Sequence, residues 1–286
     1  MGKILTPFLP ALFIFVFCLP GNCRAQENDL QAGLLNIGVG SVIGGVGALI
    51  NKSPEDKFGR TFLKGLGQGA LGGYLVFESK RLVREFAETG DFGYVWPSKI
   101  VNSAGSSIIE NAAANRDFWA RWHLNIGFNR LEIDTKNNFK FSYRIMPYSL
   151  IATATAAVDS RLDVNYSLKT GTFVFRSSEI DRNIDIYGQV RVNTITLLDD
   201  YRGVAALPHE VLHTYQYEEL SGINSFFIKP MNWLSEKSKI VNLYNRIFFT
   251  DFHALLTGAL HHYGKSYFEG EAEYYTDTLP RERMIR

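Results

Sequence analysis

Cysteine is nearly absent from this chain of 286 residues, and the two that occur, Cys18 and Cys23, both lie near its start. Around them, Lys3, the apolar run FLPALFIFVFCLP and a polar exit at Ala25 are typical of a secretory signal peptide cleaved after Ala25. The apolar run is short for a membrane span, and neither cysteine follows the small residues that lipidation requires. We therefore expect a mature chain without cysteine, which excludes disulfides, thiolate catalysis and thiolate metal sites.

An excess of basic charge is also lacking. Residues 1–25 contain Lys3 and Arg24 and no acid, so the rest of the chain has 28 of the 30 Lys and Arg against 29 Asp and Glu. The resulting net charge of −1, with neutral histidines, predicts no nucleic-acid partner. The signal peptide predicts export to the periplasm, the cell envelope or the extracellular space. A hydrophobic fraction of 46% excludes a largely disordered chain.

Glycine, in contrast, is abundant in residues 33–79. The run GLLNIGVGSVIGGVGALI carries no charge, and FLKGLGQGALGGYLVF follows it after a charged break. Glycines recur every four residues, at 40 and 44 and at 65, 69 and 73, which places them on one face of each helix. Because a helical glycine costs about 1 kcal/mol relative to alanine, close helix packing is the obvious compensation. We predict a helical hairpin over 33–50 and 62–88.

This hairpin has two interpretations. Both apolar runs fall slightly short of the ~20 residues of a membrane-spanning helix, and Lys64 and Gln68 interrupt the second run. These features favour a hairpin that packs against the rest of the protein. Membrane association through residues 33–79 is the alternative.

The remaining chain predicts an α+β fold. Residues 98–118 are rich in Ala and Ser and predict a further helix, whereas later segments alternate or run in β-branched and aromatic residues. We expect mainly antiparallel strands, with a hairpin at SLKTGTF, and helices again from Ala205. The predicted strands cover 122–134, 139–154, 161–168, 171–177 and 189–198. The chain divides into a signal peptide (1–25), a Gly/Ala-rich helical region (26–118) and a mixed domain (119–286).

The motif that carries chemistry is His209-Glu210-Val211-Leu212-His213 within LPHEVLHTYQYEEL. Residues four apart lie on one face of a helix, so the two imidazoles can share one Zn²⁺. Glu210 follows the first histidine and can take a proton from the attacking water. Because proline fits best in a first helical turn, Pro208 predicts a helix that starts just before the motif.

A catalytic zinc keeps three protein ligands and one position for water, so a third ligand is needed. The segment SYFEGEAEYYTDT offers Glu269, Glu271 and Glu273. On a helix Glu269 and Glu273 share a face, and Glu271 points elsewhere. The rival ligands are the histidines at 253, 261 and 262, of which the adjacent pair can supply at most one.

These residues resemble the gluzincin branch of the zincin metallopeptidases, in which a helical Glu follows H-E-x-x-H. Phe268-Glu269-Gly270-Glu271-Ala272-Glu273-Tyr274 is similar to the N-E-G-x-A-x-Y of alanyl-aminopeptidase-like enzymes and to the E-x-x-A-D of CAAX-protease-like enzymes. Both comparisons imply Glu269 as the third ligand, and the second implies that Glu273 orients a histidine ligand. The resemblance covers about 20 residues in two patches, and the spacing of about 55 residues from His213 to Glu269 exceeds that of the aminopeptidases. H-E-x-x-H-x-x-Q, with Gln216, also resembles bacterial zincin-like domains.

Two further features belong to this resemblance. Zincins place a strand along the cleft before the metal helix, and 189–198 has that place in the sequence. A peptidase also needs a donor for the developing oxyanion, for which His262, Tyr263 and Tyr274 are candidates near Glu269.

The sequence therefore predicts a secreted zinc metallopeptidase that hydrolyses peptide or protein substrates, with ligands His209, His213 and Glu269 and the base Glu210. The alternative is a non-enzymatic, membrane-associated envelope protein with a structural or vestigial zinc site. The carboxylate of Glu210 favours catalysis, because a purely structural site does not need it.

Overall fold

A computed structural model describes residues 28–136, 138–178, 187–263 and 267–276, with the backbone alone at 260–263. The predicted signal peptide, residues 1–25, lies outside this part of the chain. The first layer of the fold consists of the helices α1 (Asp29–Asn51), α2 (Phe58–Thr89) and α3 (Val95–Ala113). The Asn28 side chain caps α1 by accepting from the Gln31 backbone N–H, and α2 ends at Gly90, which has a left-handed φ of 70°.

Glycines form a close-packed seam between these three helices. A methyl group on Gly65 of α2 would lie 2.5 Å from the Gly44 carbonyl oxygen and 2.6 Å from Ala48 Cβ in α1. On another face of α2, a methyl group on Gly72 would lie 2.6 Å from the Gly105 carbonyl oxygen in α3. Only a hydrogen atom fits at these positions, so the helix backbones approach each other directly.

Helix α1 alone, within the described ranges, is long and apolar enough to cross a membrane by length and composition. The window that passes this test is 44% buried inside the protein, and core helices of soluble proteins pass the same test.

A three-stranded antiparallel sheet follows, formed by β1 (Arg121–Ile126), β2 (Asn129–Asp134) and β3 (Lys140–Ile145) in that order. A half-buried sheet usually buries its apolar side chains and exposes its charged ones, and this sheet does the opposite. Leu131, Phe141 and Tyr143 share one face through the pairings Leu131↔Tyr143 and Ile133↔Phe141, and all three are exposed. Arg130 and Glu132 point to the opposite face and are buried.

Ion pairs with α3 explain the buried polar face. Arg130 donates to Glu110 of α3 and to Glu132, each at 2.7 Å. Arg144 pairs with Glu132 as well. His123 lies between Ser106 and Ser107 with ring nitrogens 3.2 and 2.9 Å from their hydroxyls. A buried charge is tolerated only with such partners, and α3 supplies the carboxylate that the sheet requires.

Three predictions in the middle of the chain are wrong. The strand predicted over 139–154 ends at Ile145, because Pro147 starts the helix α4 (Pro147–Asp159). The strand predicted over 161–168 is the two-residue β4 (Arg161–Leu162) followed by the helix α5 (Val164–Thr170). The hairpin predicted at SLKTGTF is the end of α5, which Gly171 terminates in a left-handed conformation, followed by β5 (Phe173–Ser177).

The second sheet has the order β4-β5-β7-β6. The single strand predicted over 189–198 is a hairpin of β6 (Gly188–Arg191) and β7 (Thr194–Leu198), turning at Val192 with a φ of 58°. Strands β5 and β7 are parallel, and the four other strand pairings of the described residues are antiparallel. The predicted α+β class with mainly antiparallel strands is confirmed, and the strands form two small sheets.

The rest of the described chain is mainly helical, with an isolated bridge between Phe248 and Ile145. Helix α6 spans Tyr201–Glu219, and the 3₁₀ segment Leu220–Phe227 leads to the C-terminal helices. Asp200 caps α6 by accepting from the backbone N–H groups of Arg202 and Gly203, so the helix begins seven residues before Pro208 rather than next to it. This corrects the predicted start of the helix. The remaining helices are α7 (Ile228–Lys237), α8 (Lys239–Ile247), α9 (Phe252–Tyr263) and α10 (Tyr267–Thr276).

Candidate metal centre

Hydrophobic packing sets the rotation of α6. Leu207, Val211 and Leu212 are buried in one core cluster with Ile195 and Leu197 of β7. Because β7 leads into α6 through two residues, the strand and the start of the helix are held together. The same rotation directs His209 and His213 toward α10.

Three side chains converge between α6 and α10. The Nε2 atoms of His209 and His213 are 3.0 Å apart. Glu269 of α10 places Oε2 at 3.2 Å from His209 Nε2 and Oε1 at 3.5 Å from His213 Nε2. The sequence predicted these three ligands, and the structure brings them together as one cluster that can hold a metal ion.

The size of this triangle suits zinc. Ligands bound tetrahedrally at 2.0–2.1 Å lie about 3.3 Å from one another. The three separations of 3.0, 3.2 and 3.5 Å bracket that value. Glu269 is the most exposed of the three, with 47% of its side chain accessible, so the cluster opens toward solvent on the Glu269 side.

The Nδ1 atom of His209, on the side of the ring away from the cluster, faces Thr276 of α10. Thr276 Oγ1 donates to the Ala272 carbonyl at 2.6 Å and lies 3.3 Å from His209 Nδ1. Since the hydroxyl proton is used toward Ala272, the oxygen can only accept from His209. We therefore assign the proton to Nδ1, which leaves the lone pair of Nε2 directed at the cluster.

Gln216 gives His213 the same tautomer. The Gln216 amide nitrogen donates to the Phe268 carbonyl at 2.8 Å and to Glu271 Oε2 at 2.9 Å. Its oxygen then faces His213 Nδ1 at 2.7 Å and must accept from it. In these neutral tautomers both Nε2 lone pairs and the Glu269 carboxylate face one another, so the cluster attracts a cation, which is either a proton or a metal ion.

The pKa shifts of Glu269 and His213 are those expected of groups that together attract a cation. Hydrogen bonds with His209 and His213 lower the pKa of Glu269 despite partial burial. Burial opposes protonation of His213, but Glu269 and Glu210 outweigh it and raise the pKa of His213 overall. A cluster that favours the protonated form of His213 also attracts a metal cation.

Glu210 lies beside the cluster and not in it. It is buried, and burial raises the pKa of its carboxyl, while the neighbouring His213 and His209 act in the opposite direction. The carboxylate packs against Gly188 of the edge strand β6. The contact is so close that a methyl group on Gly188 would lie 2.5 Å from Glu210 Oε1. A buried carboxylate of raised pKa is suited to accept a proton and to return it.

The other predicted residues lie elsewhere. Glu273 is exposed, and the histidine nitrogens that it was predicted to orient face Gln216 and Thr276 instead. Tyr274 donates its hydroxyl to Asp29 of α1 at 2.6 Å, away from the ligands. The side chains of His262 and Tyr263 lie outside the described residues, as does that of His261.

The remaining rival ligand, His253, is buried beside Asn224, with its Nδ1 2.8 Å from the Asn224 amide nitrogen. The buried charges that influence it include Glu110 and Arg130, which belong to the interface between α3 and the first sheet. His253 is therefore not part of the three-residue cluster.

Sequence reasoning missed the partners of the ligands. The sequence predicted Gln216 only as part of H-E-x-x-H-x-x-Q, and Glu271 only as a possible third ligand that points away from Glu269. The spacing of residues along α6 could have predicted a shared role. One stripe of a helix carries His209, His213, Gln216 and Glu219, so all four face the same neighbouring part of the fold.

Comparison of the chain with protein-family models, with curated proteins and with solved structures finds no match in any of the three.

Proposed function

We propose that the protein is a secreted zinc metallopeptidase of gluzincin-like chemistry. The observation that carries this proposal is the convergence of two imidazole Nε2 atoms and one carboxylate next to a buried glutamate. Among the described residues three side chains form the cluster, and zinc held by three protein ligands keeps a fourth position for water, as in catalytic sites. When bound, Zn²⁺ would lower the pKa of water and polarise a peptide carbonyl.

The metal ligands and Glu210 have separate roles in the proposed reaction. His209, His213 and Glu269 would hold the metal, and Glu210 would accept the proton of the attacking water and pass it to the leaving amine. The raised pKa of Glu210 favours the first half of this cycle, because the protonated carboxyl that forms is stable in its buried setting. Edge strand β6, against which Glu210 packs, offers backbone hydrogen bonds to an extended peptide.

Metal analysis tests the site itself. The purified mature chain should contain about one zinc per chain, and His213→Ala should lose it while far-UV circular dichroism stays unchanged. His253→Ala is the matched control, because His253 is also a buried histidine but belongs to another cluster. Equal zinc in His213→Ala and in the parent chain contradicts the assignment.

Hydrolysis of a peptide library tests the role of Glu210. Glu210→Gln should keep its zinc, because the carboxylate is not a ligand, and should lower the rate by at least about 100-fold. An unchanged rate would remove Glu210 from the proposed role.

The second candidate is a membrane-associated envelope protein without catalytic activity. One observation favours it, namely the length and hydropathy of α1. Carbonate extraction of membranes from the expressing cells separates the candidates. A membrane-inserted chain stays in the pellet, whereas a chain whose α1 is a core helix is released.

A further inference from the structure

A buried hydrogen-bond network connects the ligand His213 with the glycine-packed helices. Beyond Gln216, Glu271 accepts from Lys80 Nζ of α2 at 2.8 Å and from Asn36 Nδ2 of α1 at 3.0 Å. Lys80 also donates to Asn36 Oδ1 at 2.7 Å and to Glu219 Oε2 at 2.8 Å. Lys80, Asn36 and Glu271 are at most 1% exposed.

The chemistry of Lys80 orients every group in this network. An ammonium group only donates, and its three protons go to three oxygens. Because Asn36 turns its oxygen toward Lys80, its amide nitrogen faces Glu271. Glu271 is then an acceptor throughout, so Gln216 must present its amide nitrogen to it and its oxygen to His213.

Charge balance makes Lys80 necessary. Glu219 and Glu271 are both buried, and each would be costly to ionise without a cation. Burial by itself disfavours the ammonium form, but the two carboxylates outweigh it and raise the pKa of Lys80. The ammonium therefore persists and holds Glu271 as an acceptor.

Glycine packing allows this contact. A methyl group on Gly73 of α2 would lie 2.8 Å from the Asn36 carbonyl carbon, so only glycine lets Asn36 approach α2 so closely. Lys80 follows two turns later on the same helix. The seam thus brings Asn36 and Lys80 together at the back of α10, whose front carries Glu269.

We infer that Lys80 and Asn36 are positioning residues of the proposed metal centre, which they serve by fixing the tautomer and orientation of His213 through Glu271 and Gln216. The inference rests on the proposed function only in that it takes the three-ligand cluster as a metal site. It makes α1 and α2, which carry Asn36 and Lys80, integral parts of that site.

The first experiment needs no metal and no activity. In the metal-free mature chain labelled with ¹⁵N-histidine, long-range ¹H–¹⁵N spectra at alkaline pH should show neutral His213 protonated at Nδ1. A His213 protonated at Nε2 overturns the inference. This outcome is independent of whether the protein later proves to hydrolyse peptides.

The second experiment measures zinc affinity by competition with a chromophoric chelator. Gln216→Met keeps the side-chain length but removes the acceptor, so zinc affinity should fall about 10–100-fold and both His213 tautomers should be populated. The paired variant Lys80→Met/Glu271→Gln keeps the net charge but lets residue 271 present either end of its amide. It should shift affinity and tautomer in the same direction. Should the paired variant not fold, Asn36→Leu carries the same expectation.

The control is Asn102→Leu. Asn102 is a buried amide that donates to Glu218 of α6 at 2.7 Å and does not belong to the His213 network. It should lower stability but leave zinc affinity within about two-fold and the His213 tautomer unchanged. If Gln216→Met binds zinc as the parent chain does, or if Asn102→Leu weakens zinc as much as the network variants, the positioning role is wrong.

Discussion

The glycine seam gives a quantitative prediction, because two glycines of α2 two residues apart have opposite surroundings. Gly65 faces α1, where an added methyl group would lie 2.5 Å from the Gly44 carbonyl oxygen and 2.6 Å from Ala48 Cβ. Gly67 is exposed, and an added methyl group would meet no atom within 4 Å. Alanine at either position raises helix propensity equally, so only the packing differs.

The magnitudes follow from these distances. Gly67→Ala should raise the free energy of unfolding by about 1 kcal/mol, the difference in helix propensity. In Gly65→Ala the new methyl group meets the backbone of α1, which cannot rotate away as a side chain can. Helices α1 and α2 must therefore separate, which by itself should lower the free energy of unfolding by about 1–3 kcal/mol. Because the propensity gain is the same in both variants, they should differ by the packing cost of about 1–3 kcal/mol, or roughly 2–12 °C in Tm for a chain of this size.

Urea denaturation of the mature chain, followed by far-UV circular dichroism and tryptophan fluorescence, measures this difference directly. Gly38→Ala in α1 is a second control, since a methyl group there also meets nothing within 4 Å. Variants at 65 and 67 that agree within about 0.5 kcal/mol would show that the helices are not in backbone contact.

Three further predictions concern the site, the pH dependence and the buried ion pairs. Gly188→Ala should lower kcat/KM by up to about 100-fold with zinc content unchanged, because the new methyl group displaces the Glu210 carboxylate. Gly38→Ala is the control, since its methyl group meets no atom within 4 Å, and equal activity of the two variants would refute the prediction. Burial lowers the pKa of His123 to about 4, so between pH 6.5 and 4 the unfolded chain binds the proton and the folded chain does not. Stability should fall by up to about 3 kcal/mol as the pH falls through this window, and His123→Asn should flatten the dependence seen in denaturation at several pH values. An unchanged slope would contradict it. Arg130→Met leaves Glu110 and Glu132 buried without their main cation and should cost about 3–5 kcal/mol, whereas Lys64→Met, which removes an exposed partner of Asp117, should cost less than about 1 kcal/mol. Equal losses in the two variants would show that burial does not control these pairs.

Local chemistry made part of this protein predictable. The spacing of His209 and His213 places both on one face of any helix that contains them, and Glu210 follows from the same motif. Glycines four apart predicted close helix packing because no larger residue fits such a contact. Glu269 was also identified in advance, although only through a resemblance between short motifs.

Other local predictions failed where a single residue changed the outcome. Val164–Thr170 has the composition of a strand but forms a helix, because Asp163 caps its start by accepting from the Tyr166 backbone N–H and Gly171 ends it. The run 189–198 looks continuous but turns at Val192, whose left-handed backbone is unusual for a β-branched residue. Pairing in a sheet, not composition, imposes that turn.

By itself, the sequence determined those features that depend on neighbours within a few residues, namely the helix faces, the ligand pair and its adjacent base. Only the tertiary structure decided which face of the first sheet is buried, because that depends on Glu110 of α3 reaching Arg130. It also decided which residues orient the histidines. Gln216, Glu271 and Lys80 come from three different helices, and hydrogen-bond partners so distant in sequence meet only when the glycine seam and α10 have packed together.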